Sequence, residues 1–347
     1  MRLTRRGLAA TAIAAVAFPA VGKTMPRSLI IAHRGASGER PEHTMTGYRL
    51  AIAQGADFIE PDLVMTKDGH FVVRHENEIG GTTDVAAHPE FAGRRTTKVV
   101  DGARITGWFT EDFTLAELKT LRARERLPKL RPGSAAFDGR DEIPTFQEMI
   151  DLAVAESRRL GRPIGTCPEM KHPTYFAKLG LPLERRLADT LKANGLDSPT
   201  APVFVQCFEV GALKTFMGMS KAPRVLLMQR RGGPFDERGV SYRDLAADMK
   251  AVAAFATGVG PEWPMVIPTD AGKLGAPTSL VPDAHAAGLV VHPWTVRAEN
   301  VFLPKTLQRG RNPADRGDVD AVYRALFAAG VDGLFSDFPG LAAQARG

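Results

Sequence analysis

Cysteine is scarce: Cys167 and Cys207 are the only two in 347 residues. An exported chain could pair them. Alternation along their strands, however, sends them to different faces if Glu169 and Gln206 both point inward, so buried free thiols are expected. No basic run is interleaved with aromatics, which disfavours nucleic-acid binding. No apolar run reaches the ~20 residues that cross a bilayer, so no integral membrane segment is expected after processing. No Gly-x-Gly-x-x-Gly follows the first apolar strand, which counts against a dinucleotide-binding doubly wound sheet.

Acids are missing altogether from residues 1–22, which read MRLTRRGLAATAIAAVAFPAVG. A charged start, an apolar stretch over 8–18 and the small residues Ala20 and Gly22 form the pattern of a cleaved export signal. Thr4-Arg5-Arg6-Gly7-Leu8 has the form of a twin-arginine signal, and no cysteine follows that could take a lipid anchor. Arg2, Arg5 and Arg6 supply half of the net charge of +6, so the basic balance is partly a targeting effect. The expectation is a periplasmic or secreted protein cut near Gly22. The remainder, 23–347, has ordinary globular composition, with 44% hydrophobic and 24% charged residues over the whole chain, and can form one large domain.

Residues 29–75 carry most of the chemistry. An apolar strand over 29–32 delivers His33-Arg34-Gly35, and a second over 58–59 delivers Glu60-Pro61-Asp62. A helical segment over 46–54 lies between them, closed by Gly55. Strand, helix, strand is a parallel crossover, so both charged sets sit at carboxyl ends of neighbouring strands. Thr66-Lys67-Asp68-Gly69 is too tight for a crossover and sends 70–75 back antiparallel along 58–65. A turn centred between Lys67 and Asp68 sets His75 opposite Glu60; one centred a residue later sets it opposite Asp62.

Further on, barrel-like strands and helices alternate from 164 to the end. Counting strands near 29, 58, 164, 203, 224, 254, 289 and 332 gives eight, the period of a (β/α)8 TIM barrel with 71–75 as an added hairpin strand. The gap after His75 is much longer than a usual loop. Residues 77–143 read as an insertion on the mouth side, irregular up to Trp108. Capping boxes at Thr114 and Thr145 then open two helices.

Glu60, Asp62 and Glu169 fall at inward strand ends, where three carboxylates repel unless a cation joins them. An all-oxygen donor set calls for one divalent cation, Ca²⁺ before Mg²⁺, rather than zinc. His33 and His75 face that cluster as an acid–base pair. Arg34 and Lys171 are positioned as phosphate clamps. Glu42, behind Pro41, would orient Arg34 or a histidine. Gln206 would hydrogen-bond the substrate, with Phe208 and Trp294 as the apolar wall of the pocket. His70, His88, His172, His285 and His292 are read as structural or surface residues.

His33-Arg34-Gly35, Pro41-Glu42-His43-Thr44, Glu60-Pro61-Asp62-Leu63, Thr66-Lys67-Asp68-Gly69 and Val72-Val73-Arg74-His75, in that order, resemble the glycerophosphodiester phosphodiesterase family, and within it the exported, periplasmic branch. The family's catalytic histidines map onto His33 and His75, and its metal carboxylates onto Glu60, Asp62 and Glu169. His43 stands where many relatives have asparagine and Cys207 where many have serine. The resemblance implies metal-dependent hydrolysis of glycerophosphodiesters such as glycerophosphocholine to sn-glycerol 3-phosphate and an alcohol. The rivals are a related barrel phospholipase, cleaving phosphatidylinositol or sphingomyelin, and an exported glycerophosphodiester-binding protein without turnover.

Overall fold

The computed structural model describes residues 27–347; the export signal expected over 1–22 lies outside the described residues. The strands are β1 (Leu29–His33), β2 (Phe58–Glu60), β3 (Asp62–Met65), β4 (Phe71–Val73), β5 (Thr96–Val100), β6 (Ala103–Gly107), β7 (Gly165–Thr166), β8 (Glu169–Met170), β9 (Val205–Cys207), β10 (Arg224–Met228), β11 (Gly258–Pro261), β12 (Thr269–Asp270), β13 (Lys273–Leu274), β14 (Val290–Val291) and β15 (Gly333–Ser336).

These pairings close a barrel. β1 pairs in parallel with β15 and β2, and β2 with β7. β9, β10, β11 and β14 follow in parallel, and a parallel bridge from Val296 to Ser336 returns to β15. β2–β3 and β7–β8 are each one strand interrupted by a proline, Pro61 and Pro168. Neither proline can donate, but both carbonyls accept: Glu169 N donates to Pro61 O at 2.9 Å and Gln206 N to Pro168 O at 2.9 Å. Helices run between strands, among them Met45–Ala53, capped by Thr44, and Phe146–Leu160, opened by the Thr145–Glu148 capping box.

Alternation divides the core in two. Leu29, Ile31, Phe58, Cys167, Phe204, Val225, Leu227 and Phe335 fill the barrel, while Ile30, Ile59, Leu226 and Leu334 join the larger layer under the helices. Gly165 makes room for the Phe58 ring, which would lie 2.1 Å from a Cβ there. Cys167 packs inside the barrel and Cys207 in the outer layer, both free and buried.

Four expectations need correction. The sixth strand position, expected near 254, falls instead at 258–261, because the segment before it completes the helix Met249–Ala253. The β3–β4 register pairs Leu63 with Val73, Val64 with Val72 and Met65 with Phe71, so His75 opposes neither Glu60 nor Asp62. Both expected registers assumed a two-residue turn. Thr66 N bonds His70 O instead, and the loop holds three residues with Gly69 at φ +78°. The capping box at Thr114 is formed, but its helix, expected to run to about Arg124, stops at Leu118. Residues 96–107 are not irregular: β5 and β6 form a hairpin over five residue pairs.

Candidate active site

The inward side of the strands carries apolar side chains through the barrel and polar ones at its carboxyl end. On β1, inward Leu29 and Ile31 are followed by His33; on β15, Phe335 is followed two residues on by Asp337. Phe58 leads to Glu60 and Asp62, and Cys167 to Glu169. The groups meet around a cavity of about 490 Å³ lined by His33, Arg34, Glu60, His75, Glu169 and Lys171 on its polar side. The expected wall is also there: Phe208 and Trp294 both line it, edge to face with ring centroids 5.6 Å apart.

Carboxylate oxygens of Glu60, Asp62 and Glu169 lie within 4.8 Å of one another, and all three residues are buried. Burial and the neighbouring Asp62 push the Glu60 carboxyl well above its ordinary range. Burial, again with Asp62 and against Lys171, raises Glu169 to about 8. Burial works in the same direction on Asp62, but His75, the hydrogen bond from His43 and Lys171 hold it well below. Asp62 Oδ1 is buried without a hydrogen-bond partner. Hard oxygen donors, mutual repulsion and an unpartnered buried oxygen together fit one divalent cation of the Ca²⁺ or Mg²⁺ type.

Arg34 sits at φ +59°, which turns its backbone N–H onto Glu60 Oε2 at 2.6 Å. Its guanidinium reaches Glu42 Oε2 at 3.0 Å and Asp62 Oδ2 at 3.4 Å. Glu42 therefore orients Arg34 rather than a histidine, and Arg126 grips the same carboxylate at 2.9 and 2.5 Å. Lys171 Nζ lies 2.9 Å from Glu169 Oε1 and 3.3 Å from His75 Nε2. Gln206 Nε2 is 3.4 Å from Glu60 Oε1, so it serves the carboxylate as well as lining the cavity.

Both histidines are held at Nδ1 by an acid. His33 Nδ1 lies 2.5 Å from Asp337 Oδ1. Asp337 Oδ2 in turn accepts from Arg131 at 2.5 Å and Arg297 at 3.0 Å. Burial and then Arg34 lower His33 to about 4, Asp337 opposing. His75 Nδ1 lies 2.7 Å from Glu76 Oε1, although the carboxylate is out of line with the ring N–H. Burial, Arg34 and Lys171 place His75 well below an ordinary imidazole. The pair is thus neutral near pH 7, the state a base requires.

Asp337, Arg131, Arg297 and Glu76 were not among the expected site residues, and His43 was noted only as standing where many relatives have asparagine. Asp337 had a signal, since it shares the inward parity of Phe335. His43, fully buried, bonds Asp62 Oδ2 at 2.8 Å through Nε2 and the Tyr48 hydroxyl at 2.8 Å through Nδ1. It fixes a carboxylate of the cluster. Arg131 and Arg297 left no signal, because their partner is distant in sequence.

Residues 33–341 match the model of the Glycerophosphoryl diester phosphodiesterase family. A glycerophosphodiester phosphodiesterase of Arabidopsis thaliana is 36% identical over 324 residues, covering 89% of this chain and 83% of its own. One from Haemophilus influenzae is 32% identical over 339 residues, covering 90% and 87%. Among solved structures, an Oleispira antarctica phosphodiesterase in complex with the product sn-glycerol-3-phosphate superposes with a TM-score of 0.58 at 20% identity, covering 92% of this chain and 96% of that one. At that identity the likeness speaks for the fold.

Asp337 supports His33 without reaching the cluster of carboxylates. Asp337→Asn keeps the shape but removes the charge, and should reduce kcat by roughly 10²- to 10⁴-fold with KM little changed. Steady-state kinetics beside a thermal melt checks this; a kcat within threefold of the parent would remove Asp337 from the site.

Proposed function

The chain belongs to the glycerophosphoryl diester phosphodiesterase family, and we propose that it hydrolyses glycerophosphodiesters, the deacylated forms of phospholipids such as glycerophosphocholine, to sn-glycerol 3-phosphate and an alcohol. The observation that carries this is the arrangement of His33 and His75, each backed by an acid, around a carboxylate cluster flanked by Arg34 and Lys171. A non-catalytic binding protein has no use for two acid-backed histidines. A phospholipase working on a membrane needs an apolar mouth, whereas Arg126, His172, Asp101 and Glu209 stand at this one.

Glu60, Asp62 and Glu169 would hold one divalent cation, Ca²⁺ before Mg²⁺, which supplies charge neutralisation for the phosphoryl oxygens when bound. Arg34 and Lys171 grip the phosphate from either side of that cluster. A phosphodiester anion between them offsets their positive field and so raises the proton affinity of both histidines. One histidine takes the proton of the glycerol 2-hydroxyl as its oxygen attacks phosphorus. The other gives a proton to the departing alcohol oxygen, leaving a five-membered cyclic phosphate. With roles exchanged, water then opens the ring at the 2-oxygen to give glycerol 3-phosphate. Phe208 and Trp294 pack against the glycerol carbons, and Gln206 offers a hydrogen bond.

The same reading takes in two finer points. Residues 77–143 form an insertion on the barrel mouth. Residues 1–22 are a cleaved twin-arginine-like signal of the exported branch, placing the enzyme in the periplasm or outside the cell. Their charged start, apolar stretch and small-residue end support this. The mature chain recovered from the periplasm or medium should begin near Lys23; a full-length cytosolic product would argue against export.

Purified protein incubated with glycerophosphocholine and Ca²⁺ should release glycerol 3-phosphate, and a chelator should abolish release until Ca²⁺ or Mg²⁺ is restored. Undiminished turnover after exhaustive chelation would remove the cation from the reading, and no turnover under any condition would remove the activity. A 2-deoxy analogue should bind nearly as well yet turn over at least ~10³-fold more slowly, because an internal nucleophile contributes much of the rate. Hydrolysis near the parent rate would hand the attack to water.

A further inference from the structure

The β5–β6 hairpin ends in the two-residue turn Asp101-Gly102, with φ +47° and +83°. Asp-Gly is the sequence such a turn favours. Its tip reaches the cavity, where Asp101 and His172 join the lining beside His75. His172 is itself in the left-handed region, φ +51°, directly after Lys171. Its ring stands between two carboxylates. Nδ1 lies 2.5 Å from Asp101 Oδ2 and Nε2 lies 3.2 Å from Glu76 Oε2. The other oxygen of Glu76 is the one 2.7 Å from His75 Nδ1.

The protons of this row can be placed by what each group is able to do. The Lys171 ammonium only donates, and it faces His75 Nε2 at 3.3 Å. That nitrogen therefore carries the lone pair, and the ring proton of His75 sits on Nδ1, toward Glu76. Glu76 only accepts, so His172 presents N–H at Nε2. Asp101 only accepts as well, so His172 also presents N–H at Nδ1. Burial lowers the proton affinity of His172, but the hydrogen bonds to Asp101 and Glu76 outweigh it and raise the ring to about 9. A cation between two anions fixes Glu76 in place, with its other oxygen 2.7 Å from His75 Nδ1 though out of line with the ring N–H.

We propose that Asp101 and His172 are positioning residues for His75, through which the tip of the 96–107 hairpin holds the Nδ1–H tautomer and aims the Nε2 lone pair into the cavity. This rests on the reading of His75 as a reacting group. The hairpin thus belongs to the catalytic apparatus although none of its side chains meets the carboxylate cluster. The arrangement parallels His33 and Asp337 on the opposite side, but with an intermediate carboxylate and a second imidazole in the row.

The test uses the full mature chain and two readouts. Asp101→Asn suits the turn, since Asn also tolerates a positive φ there, and His172→Gln keeps one donor. Each should lower kcat for glycerophosphocholine roughly 10- to 100-fold with KM within about twofold, as expected of a misaimed base. Thr97→Ala, which removes only the exposed Thr97–Thr106 hydroxyl contact of the hairpin, should leave kcat unchanged. The second readout does not depend on turnover: ¹⁵N shifts of the His75 ring should report the Nδ1–H tautomer in the parent and a mixture in Asp101→Asn and His172→Gln. Parent-like tautomer populations and kcat in both variants would overturn the proposal. So would losses in all three variants that follow their melting temperatures. An inactive parent that still shows the Nδ1–H tautomer, lost in the variants, would instead count against the phosphodiesterase reading alone.

Discussion

Three buried carboxylates within 4.8 Å of one another set the terms for the rest of this molecule. Two like charges ~4 Å apart repel by about 4 kcal/mol even at an effective dielectric of ~20. The neighbourhood responds at every carboxylate. Lys171 pairs with Glu169, His43 with Asp62, and the Arg34 backbone N–H with Glu60. Positive charge drawn in this way needs its own anchoring, and Glu42 supplies it to Arg34, with Arg126 behind Glu42. The positions of Arg34 and Lys171 thus follow from the carboxylate cluster. Burial first, and then Arg34, joined at His75 by Lys171, holds both histidines below an ordinary imidazole.

Pro61 and Pro168 give that cluster its location. Each interrupts a barrel strand between an inward residue and the next, and each leaves its carbonyl bonded to the neighbouring strand. β3 and β8 continue each strand beyond its proline and pair Asp62 with Glu169, so the two carboxylates stand side by side. Arg74, opposite Asp62 and fully buried, ties this extension to the loop after β1 through the carbonyls of Glu42 at 2.6 Å and His43 at 3.0 Å. A guanidinium spent wholly on backbone carbonyls is a structural element, and it holds Glu42 and His43 where Arg34 and Asp62 need them.

Much of this was legible in the chain. The strand periodicity, the inward parity of Glu60, Asp62, Glu169 and Gln206, and the opposite faces of Cys167 and Cys207 follow from two-residue alternation and little else. The register of His75 did not follow, because a three-residue loop and a two-residue loop differ only in where Gly69 falls, and one residue shifts every opposed pair. The β5–β6 hairpin was overlooked although Asp101-Gly102 marks its turn, because its strands are largely exposed and carry no apolar alternation. Arg131 and Arg297 could not have been assigned at all. Their carboxylate partner lies just past the last strand, and only the closed barrel brings the three together.

Residues 77–143 then take on a definite part in the site. Arg131 bonds Asp337, which holds His33; Arg126 bonds Glu42, which holds Arg34; Asp101 bonds His172, which faces Glu76 beside His75. Arg131 and Arg126 each stop at the direct partner of a cavity residue, whereas Asp101 stands further back, with His172 and Glu76 between it and His75. Strand alternation places the carboxylates and His33, while His75 follows the end of β4; alternation fixes only which face a side chain takes, not the rotation of a ring. Ring rotation decides which nitrogen meets the substrate. For His33 it is set by an acid on the barrel that residue 131 neutralises, and for His75 by a row of charges ending on the 96–107 hairpin. The strands place the carboxylates and His33, while residues 77–143 supply the charges that bear on ring orientation, so that segment acts on orientation where the strands act on placement.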